Sequence, residues 1–378
     1  MAQKDSDRLH LPSLSVSGFL GLDRLSIRRL GRVTLLAGRN SVGKTTVLDA
    51  VRTYAARGRP RLLQELLEGR EEFVETASDE DRHRSAFADA AALFHGRGEA
   101  RATAIAIGPA SGRDKLTVEQ STPDDWSEEQ MKLLSDLSAD SDTQALRIQF
   151  QGNEMFLPWM GADERRGIPR GPSYFHRRRA EREWPAAIEC ESLGPDLVPN
   201  HDLARFWDNV ALTKDEDFSV QALRPVLGQE IERVAVVGSD GPRFRYSRRV
   251  VVKLRGHDRP VPLKSLGDGA TRMFSVALAL TNSRDGILVI DEAENGLHYS
   301  VETAYWRMVL RAAHEGNVQV LATTHSWDCV QGFARAAVES EDIDGVLVRL
   351  ERDEEGTHAV EYSETELDTA AEQGIEVR

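Results

Sequence analysis

Short unbroken apolar runs alternate along this chain with longer stretches whose apolar residues recur every three or four positions. Ile287–Ile290 is a run of the first kind, and so is Val33–Ala37 apart from Thr34. They predict strands buried on both faces. Residues 14–20 and 318–323 also read as strands. Helical spacing predicts helices over 44–56, 60–67, 83–94, 270–281, 301–314 and 327–338, with two more near Asp202 and Gln221. Ser127 with Gln130 makes a capping-box start for a helix through Leu137. Strand-like segments lie at 101–107, 115–120, 146–157, 233–237, 243–246 and 250–254. Residues 161–200, rich in Gly, Pro and Arg, read as a linker. Near the end, 346–350 and 358–362 flank a turn over 353–356 and predict a hairpin, followed by a short helix over 365–372. Strands alternating with helices in the last third imply a parallel sheet with crossover helices. There is no internal repeat and no sustained heptad pattern.

The 378 residues are 40% hydrophobic and 29% charged, with a net charge of −14. That is a globular composition, sized for two domains or one large domain with an insertion. Net acidity argues against wholesale coating of nucleic acid or anionic membrane. The charge is uneven, however. Residues 339–378 hold fourteen acids and three arginines, −11 of the −14. The remainder is close to neutral, so nucleic-acid binding stays open for it. Cys190 and Cys329 are too few for a disulfide framework or a thiolate zinc site. No apolar run approaches the ~20 residues of a membrane helix, and the first residues lack a signal-peptide core. A cytoplasmic protein with no membrane partner is expected.

The candidate chemistry begins at Gly38-Arg39-Asn40-Ser41-Val42-Gly43-Lys44-Thr45. It fits G-x-x-x-x-G-K-[ST] between a buried strand and a helix, the context that motif requires. Its glycines let backbone N–H groups wrap phosphate oxygens. Lys44 then reaches the β- and γ-phosphates, Thr45 ligates Mg²⁺ and Thr46 bonds the α-phosphate. The strand Ile287–Ile290 ends in Asp291-Glu292, at the sheet edge where ligands bind in open α/β sheets. Asp291 is the expected Mg²⁺ partner and Glu292 the general base for water. His325 follows the next strand end, placed to touch a γ-phosphate. Ser265-Leu266-Gly267-Asp268-Gly269-Ala270-Thr271-Arg272 opens an apolar helix, with Gly267 or Asp268 as its cap and free N–H groups as an anion site. Lys44 and Asp291 stand 247 residues apart, wider than in small GTPases or nucleotide kinases.

In this order, together with Glu294-Asn295-Gly296-Leu297-His298 and Thr323-Thr324-His325-Ser326, the motifs resemble those of ABC-type ATPases. More narrowly, they resemble the stand-alone AAA ATPases related to OLD (overcoming lysogenization defect) proteins and RecF/SMC heads. The similarity is densest over 11–52 and 198–335. It implies an α/β P-loop head with a largely parallel sheet flanked by helices and an inserted α+β lobe. Its Walker A half would be 1–57, its inserted lobe 58–262, its signature-to-switch half 263–338, and its acidic hairpin and helix 339–378. It implies ATP and Mg²⁺ as cofactors, with Gly38 to Thr46 as Walker A, Asp291 and Glu292 as Walker B and base, Asn295 to His298 as the D-loop, and His325 as the switch. Leu266 to Ala270 would be the signature, contacting ATP on the other subunit of a homodimer. There Gly267 and Ala270 depart from the transporter pattern, so backbone N–H groups or Arg272 must contribute more. Phe19 matches the aromatic A-loop in place. Gln120, Gln149 and Gln151 are candidates for the Q-loop.

The role implied is a regulatory ATPase gating a separately encoded nuclease or toxin in phage defence or a toxin–antitoxin pair. No coiled coil or Cys-x-x-Cys hook accompanies the motifs, and 53 residues after His325 are too few for a TOPRIM nuclease. The rival reading is a RecF-like DNA-binding ATPase in repair; a third is a scaffold that hydrolyses ATP negligibly. Seven arginines in Arg165–Arg182, interleaved with Tyr174, Phe175 and His176, read as a nucleic-acid contact, as a solvated arm, or as a patch for an acidic partner surface. The acidic end reads as a folded appendage with a solvated face, or as a site for a basic effector.

Overall fold

The structure, a computed structural model, describes residues 9–76, 85–96, 101–112, 114–121, 126–128, 131, 144–159, 184–228, 231–238, 248–340, 342–362 and 366. The strand expected at 243–246 and the Arg165–Arg182 arm lie outside them. So do nearly all of the helices expected over 127–137 and 365–372.

The strands, in chain order, are β1 (Leu14–Phe19), β2 (Leu22–Ile27), β3 (Val33–Ala37), β4 (Phe73–Thr76), β5 (Ser85–Ala88), β6 (Ala104–Gly108), β7 (Leu116–Ser121), β8 (Gln144–Phe150), β9 (Asn153–Trp159), β10 (Cys190–Leu193), β11 (Ile231–Gly238), β12 (Arg248–Leu254), β13 (Val261–Pro262), β14 (Ile287–Ile290), β15 (Gln319–Thr324), β16 (Gly345–Asp353) and β17 (Gly356–Tyr362). The helices are α1 (Lys44–Ala55), α2 (Pro60–Glu68), α3 (Asn200–Val210), α4 (Lys214–Gln221), α5 (Arg224–Leu227), α6 (Asp268–Asn282), α7 (Glu302–Glu315) and α8 (Trp327–Glu339).

One six-stranded sheet has the order β10-β14-β15-β3-β16-β17. Its first five strands are parallel and only β17 is antiparallel. The apolar runs are explained by what covers them. Leu35, Leu288, Ile290 and Val320 join a core with Phe274, Trp306 and Phe333 of α6, α7 and α8. Their neighbours Leu36, Ile287, Val289 and Leu321 join a second core with Tyr54 of α1 and Phe150 of β8. Successive residues of a strand face opposite sides, so a strand covered on both sides is largely apolar, and its buried polar residues are hydrogen-bonded, as Thr34 is to the Gly31 N–H. The second core is closed by an antiparallel sheet of order β2-β1-β6-β7-β8-β9. The expected α/β fold with a largely parallel sheet flanked by helices is therefore present, but the antiparallel sheet is not confined to the expected 58–262 insertion, because β1 and β2 lie ahead of the phosphate loop.

Four further expectations are corrected. Residues 83–94 do not form one helix: β5 is followed by a 3₁₀ turn over Ala90–Leu93. Asp89 caps that turn by accepting from the Ala91 N–H at 3.0 Å, which competes with a continuous helix. Residues 146–157 split into β8 and β9 at Gln151 and Gly152, both with positive φ. The segment read as a linker contains β10, which pairs with β14 at the sheet edge. Finally, the acidic end is not appended to the head. β16 lies beside β3, with Val346, Leu347, Val348 and Leu350 buried.

Candidate nucleotide site

Both candidate motifs sit where parallel strands end. β3 runs into the phosphate loop and α1 leaves it. Within the loop Gly38, Ser41 and Gly43 have φ of 148°, 65° and 101°. These left-handed turns curl the backbone into a nest for anions. Gly38 also lies close to β16: a Cβ there would meet the Leu350 carbonyl oxygen at 2.6 Å. Lys44 starts α1, and its ammonium donates to the Gly38 and Arg39 carbonyls at 2.7 and 2.9 Å. Burial lowers its pKa, while Asp291, Glu294 and Glu292 favour the charged form.

At the end of β14 the expected acids converge on the loop. Thr45 Oγ1 donates to Asp291 Oδ2 at 2.9 Å. The Thr323 hydroxyl donates to the other Asp291 oxygen and accepts from the Glu292 N–H at 2.9 Å. Glu292 has φ of 47°, which turns its carboxylate off the strand line. Asn295 donates to that carboxylate at 2.6 Å. His325 Nδ1 lies 3.8 Å from Glu292 and 3.2 Å from Glu294, and the Glu294 carboxylate accepts the His325 N–H at 2.9 Å.

The phosphate loop, Asp291 and Glu292 open on a cavity of about 650 Å³, a size typical of small-ligand sites; His325, Glu294, Asn295 and Thr323 stand behind its lining. Asn40, Ser41, Gly43, Lys44, Thr45, Thr46, Asp291 and Glu292 line it. The donor set fits a magnesium nucleotide. Thr45 and Asp291 are the hard oxygen pair, and phosphate oxygens and water would complete the octahedron Mg²⁺ prefers. Among the described residues no cluster of three His, Cys, Asp or Glu side chains could hold a metal without them.

Two expected contacts are not formed. Phe19 is 0% exposed in the second core, so its ring offers no face to a base. Arg272 is 1% exposed and reaches no open phosphate. It donates to the Gly194, Asp291 and Glu292 carbonyls, each at 2.8 Å. Its guanidinium clamps the ends of β10 and β14 instead. Of the two expected caps it is Gly267 that forms the N-cap of α6, with φ of 100°. Gly267 and Asp268 are exposed, Gly269 packs near Gly296, and none of the three lines the cavity. Gln120, Gln149 and Gln151 also lie outside it; Gln149 donates to Glu154 and Gln151 to Asp114. Residues that sequence reasoning did not single out are Glu294, Thr323, Gly21, Arg352 and the buried Asp49, which accepts from Arg52 at 3.2 Å and Arg70 at 2.7 Å. Glu294 and Thr323 stood in motifs already noticed; the others carried no local signal.

Residues 202–330 match the AAA ATPase domain family. An "ATP/GTP phosphatase" of Helicobacter pylori is 30% identical over 95 residues, covering 23% of this chain and 25% of that protein. The chain thus spans about a quarter of that relative's length. An uncharacterized protein of Methanocaldococcus jannaschii is 32% identical over 90 residues, 24% of this chain and 78% of that protein. Among solved structures, an SMC head bound to the C-winged helix domain of ScpA aligns with TM-score 0.49 and 12% identity, covering 94% of this chain and 98% of that one. An SMC head from Thermotoga maritima aligns with TM-score 0.43 and 12% identity, covering 94% and 100%. Among the described residues no helix is long and apolar enough to cross a membrane. With its phosphate loop, acidic strand end and His325 gathered at one sheet edge, the chain is a P-loop ATPase that carries this AAA ATPase domain over residues 202–330.

Proposed function

We propose that the chain binds and hydrolyses Mg·ATP in a head-to-tail pair of copies, and that opening of the pair is a signal. The observation that carries this is the split of the machinery. The Lys44, Thr45, Asp291, Glu292 and His325 set is gathered in one chain, while the exposed start of α6 stands apart from its cavity. In a pair, Gly267 to Gly269 of each copy would present N–H groups to the nucleotide on the other.

Bound Mg²⁺, held through Thr45 and Asp291, would supply charge neutralisation on the β- and γ-phosphate oxygens. Lys44 would turn its ammonium from the loop carbonyls to those phosphates. Glu292 takes the proton of the attacking water, and Asn295 fixes the carboxylate that receives it. His325, anchored by Glu294 beside the base, would register loss of the γ-phosphate. Thr323 holds Asp291 and Glu292 in register so that metal ligand and base move together.

The switch would gate a separately encoded nuclease or toxin, as in phage-defence ATPases resembling OLD proteins. A DNA clamp of RecF type draws on one specific feature, the arginine-dense stretch at 165–182. DNA-stimulated hydrolysis that falls steeply with salt would favour the clamp. The primary test is Glu292→Gln. Sedimentation should show a dimer that forms with ATP and persists, together with loss of multiple-turnover phosphate release. If this variant stays monomeric with saturating ATP, the head-to-tail pair is refuted.

A further inference from the structure

We infer that Arg352 is the base-side contact of the nucleotide site, its guanidinium stacking on the adenine. This rests on the reading of the cavity as an ATP site and extends it to the half of the ligand that the phosphate loop does not touch.

The phosphates have an orientation. Asp291 and Glu292 mark the γ end, and Thr46, on the first turn of α1, marks the α end. The nucleoside must leave on the Thr46 side. Gly21 is the closest marker there, since a Cβ on it would lie 3.7 Å from Thr46 Oγ1. Gly21 sits in the β1–β2 turn, directly before Leu22, whose side chain packs against Gly43.

The β16–β17 hairpin converges on the same side. β17 packs against β2, and the Thr357 hydroxyl points at the Val42 carbonyl oxygen, 3.4 Å away. Arg352 is the direct cross-strand partner of Thr357. Directly opposed residues of an antiparallel pair project to the same face. Arg352 therefore faces the phosphate loop, and it lines the cavity with Gly21, Asn40 and Ser41.

Three observations make it a base contact. First, no aromatic side chain is among the described residues that line the cavity, and Phe19 is buried in the core. Second, of the three arginines that line it, Arg52 and Arg70 are committed to Asp49, whereas the Arg352 side chain makes no hydrogen bond or ion pair among the described residues. Third, its neighbours Glu351, Asp353, Glu354 and Glu355 are acidic. Some are already engaged: Glu351 with Arg349 and His358, and Asp353 with His358 and the Glu355 N–H. A cation set among acids is a poor hook for a triphosphate. Its planar face still attracts an aromatic ring.

The test uses the full chain and two probes, Mg·ATP and inorganic tripolyphosphate with Mg²⁺, each titrated by calorimetry. Arg352→Ala should raise the Kd for ATP about tenfold and leave tripolyphosphate unchanged, a loss within the range of one cation–aromatic contact. Arg352→Lys should recover little of it, because an ammonium has no stacking plane. Arg352→Trp should recover most of it. Equal weakening of both probes would make Arg352 a phosphate ligand and overturn the inference; so would unchanged ATP affinity in Arg352→Ala. Lys44→Ala reports on the parent reading separately, since it should abolish both probes. If the unaltered chain binds neither probe, the ATP-site reading itself falls.

Discussion

Replacing Arg272 by methionine should destabilise the head without touching a phosphate. Methionine keeps the length of the arginine stem and removes all five donors. Arg272 is 1% exposed and satisfies three carbonyls, those of Gly194, Asp291 and Glu292, each at 2.8 Å. A charge-assisted bond in such a place is worth ~1.5–3 kcal/mol against a lost partner. The cost of burying the guanidinium is recovered in the variant and offsets part of this. At about 1 kcal/mol net for each carbonyl, the loss is about 3 kcal/mol. It should appear as a lower denaturant midpoint with an unchanged slope. Arg272→Lys, with one compact ammonium for three diverging acceptors, should fall between the two. Two of the three carbonyls belong to Asp291 and Glu292, so the hydrolysis rate should fall as well, while ATP affinity, set by the phosphate loop, is retained. An unchanged midpoint with lost ATP-dependent pairing would refute this reasoning and return Arg272 to a phosphate contact.

Three further outcomes follow from the geometry. Asn295→Ala frees the Glu292 carboxylate from its 2.6 Å bond; kcat should drop about ten- to a hundredfold with KM unchanged, and an unchanged kcat would remove Asn295 from the positioning of the base. Gly38→Ala forces a side chain onto φ of 148° and against the Leu350 carbonyl; it should cost about 2 kcal/mol and abolish ATP binding, measured by denaturation and calorimetry. Glu302 is 3% exposed. Burial first, then the charges of Glu294 and Asp328, push its carboxyl up to about 7 from 4.5. The folded state holds that proton more tightly than the unfolded chain, so stability falls as pH rises through this window. Glu302→Gln should escape the loss and be more stable than the parent by up to about 3 kcal/mol above pH 7, with the gap closing toward pH 4.5; a gap that does not change with pH would mean that folding leaves the Glu302 carboxyl unshifted.

The parts of the site that were readable in the sequence are those whose chemistry is local. Gly38 to Thr46 and Ile290-Asp291-Glu292 are each a strand end followed by a turn, and the residues that act are the residues that form the turn. His325 was legible for the same reason. Arg272 was misread because its partners are backbone carbonyls on two other strands, and a carbonyl leaves no trace in residue identity. Phe19 was misread because an aromatic that stacks on a base and one that fills a core follow the same strand alternation. β10 was missed because Cys-Glu-Ser-Leu has one ladder partner at a sheet edge and carries two polar residues. The 83–94 segment went wrong because the Asp89 side chain offered its backbone a competing partner. The acidic end was read from its surface charge, which describes the hairpin tip and β17 but not the buried half of β16.

The place of β16 has a consequence for synthesis. Val33, just ahead of the phosphate loop, is paired with Val320 on one side and Gly345 on the other. As the ribosome makes the chain, β3 emerges early and has neither neighbour. Pairings this distant in sequence form late and carry a large loop-closure cost. The nucleotide pocket therefore cannot mature until β16 has been made, and nascent chains arrested before Asp344 should not be retained on immobilised ATP. Strand order alone thus acts as a timer, holding back nucleotide binding until β15 and β16 have joined β3 in the sheet.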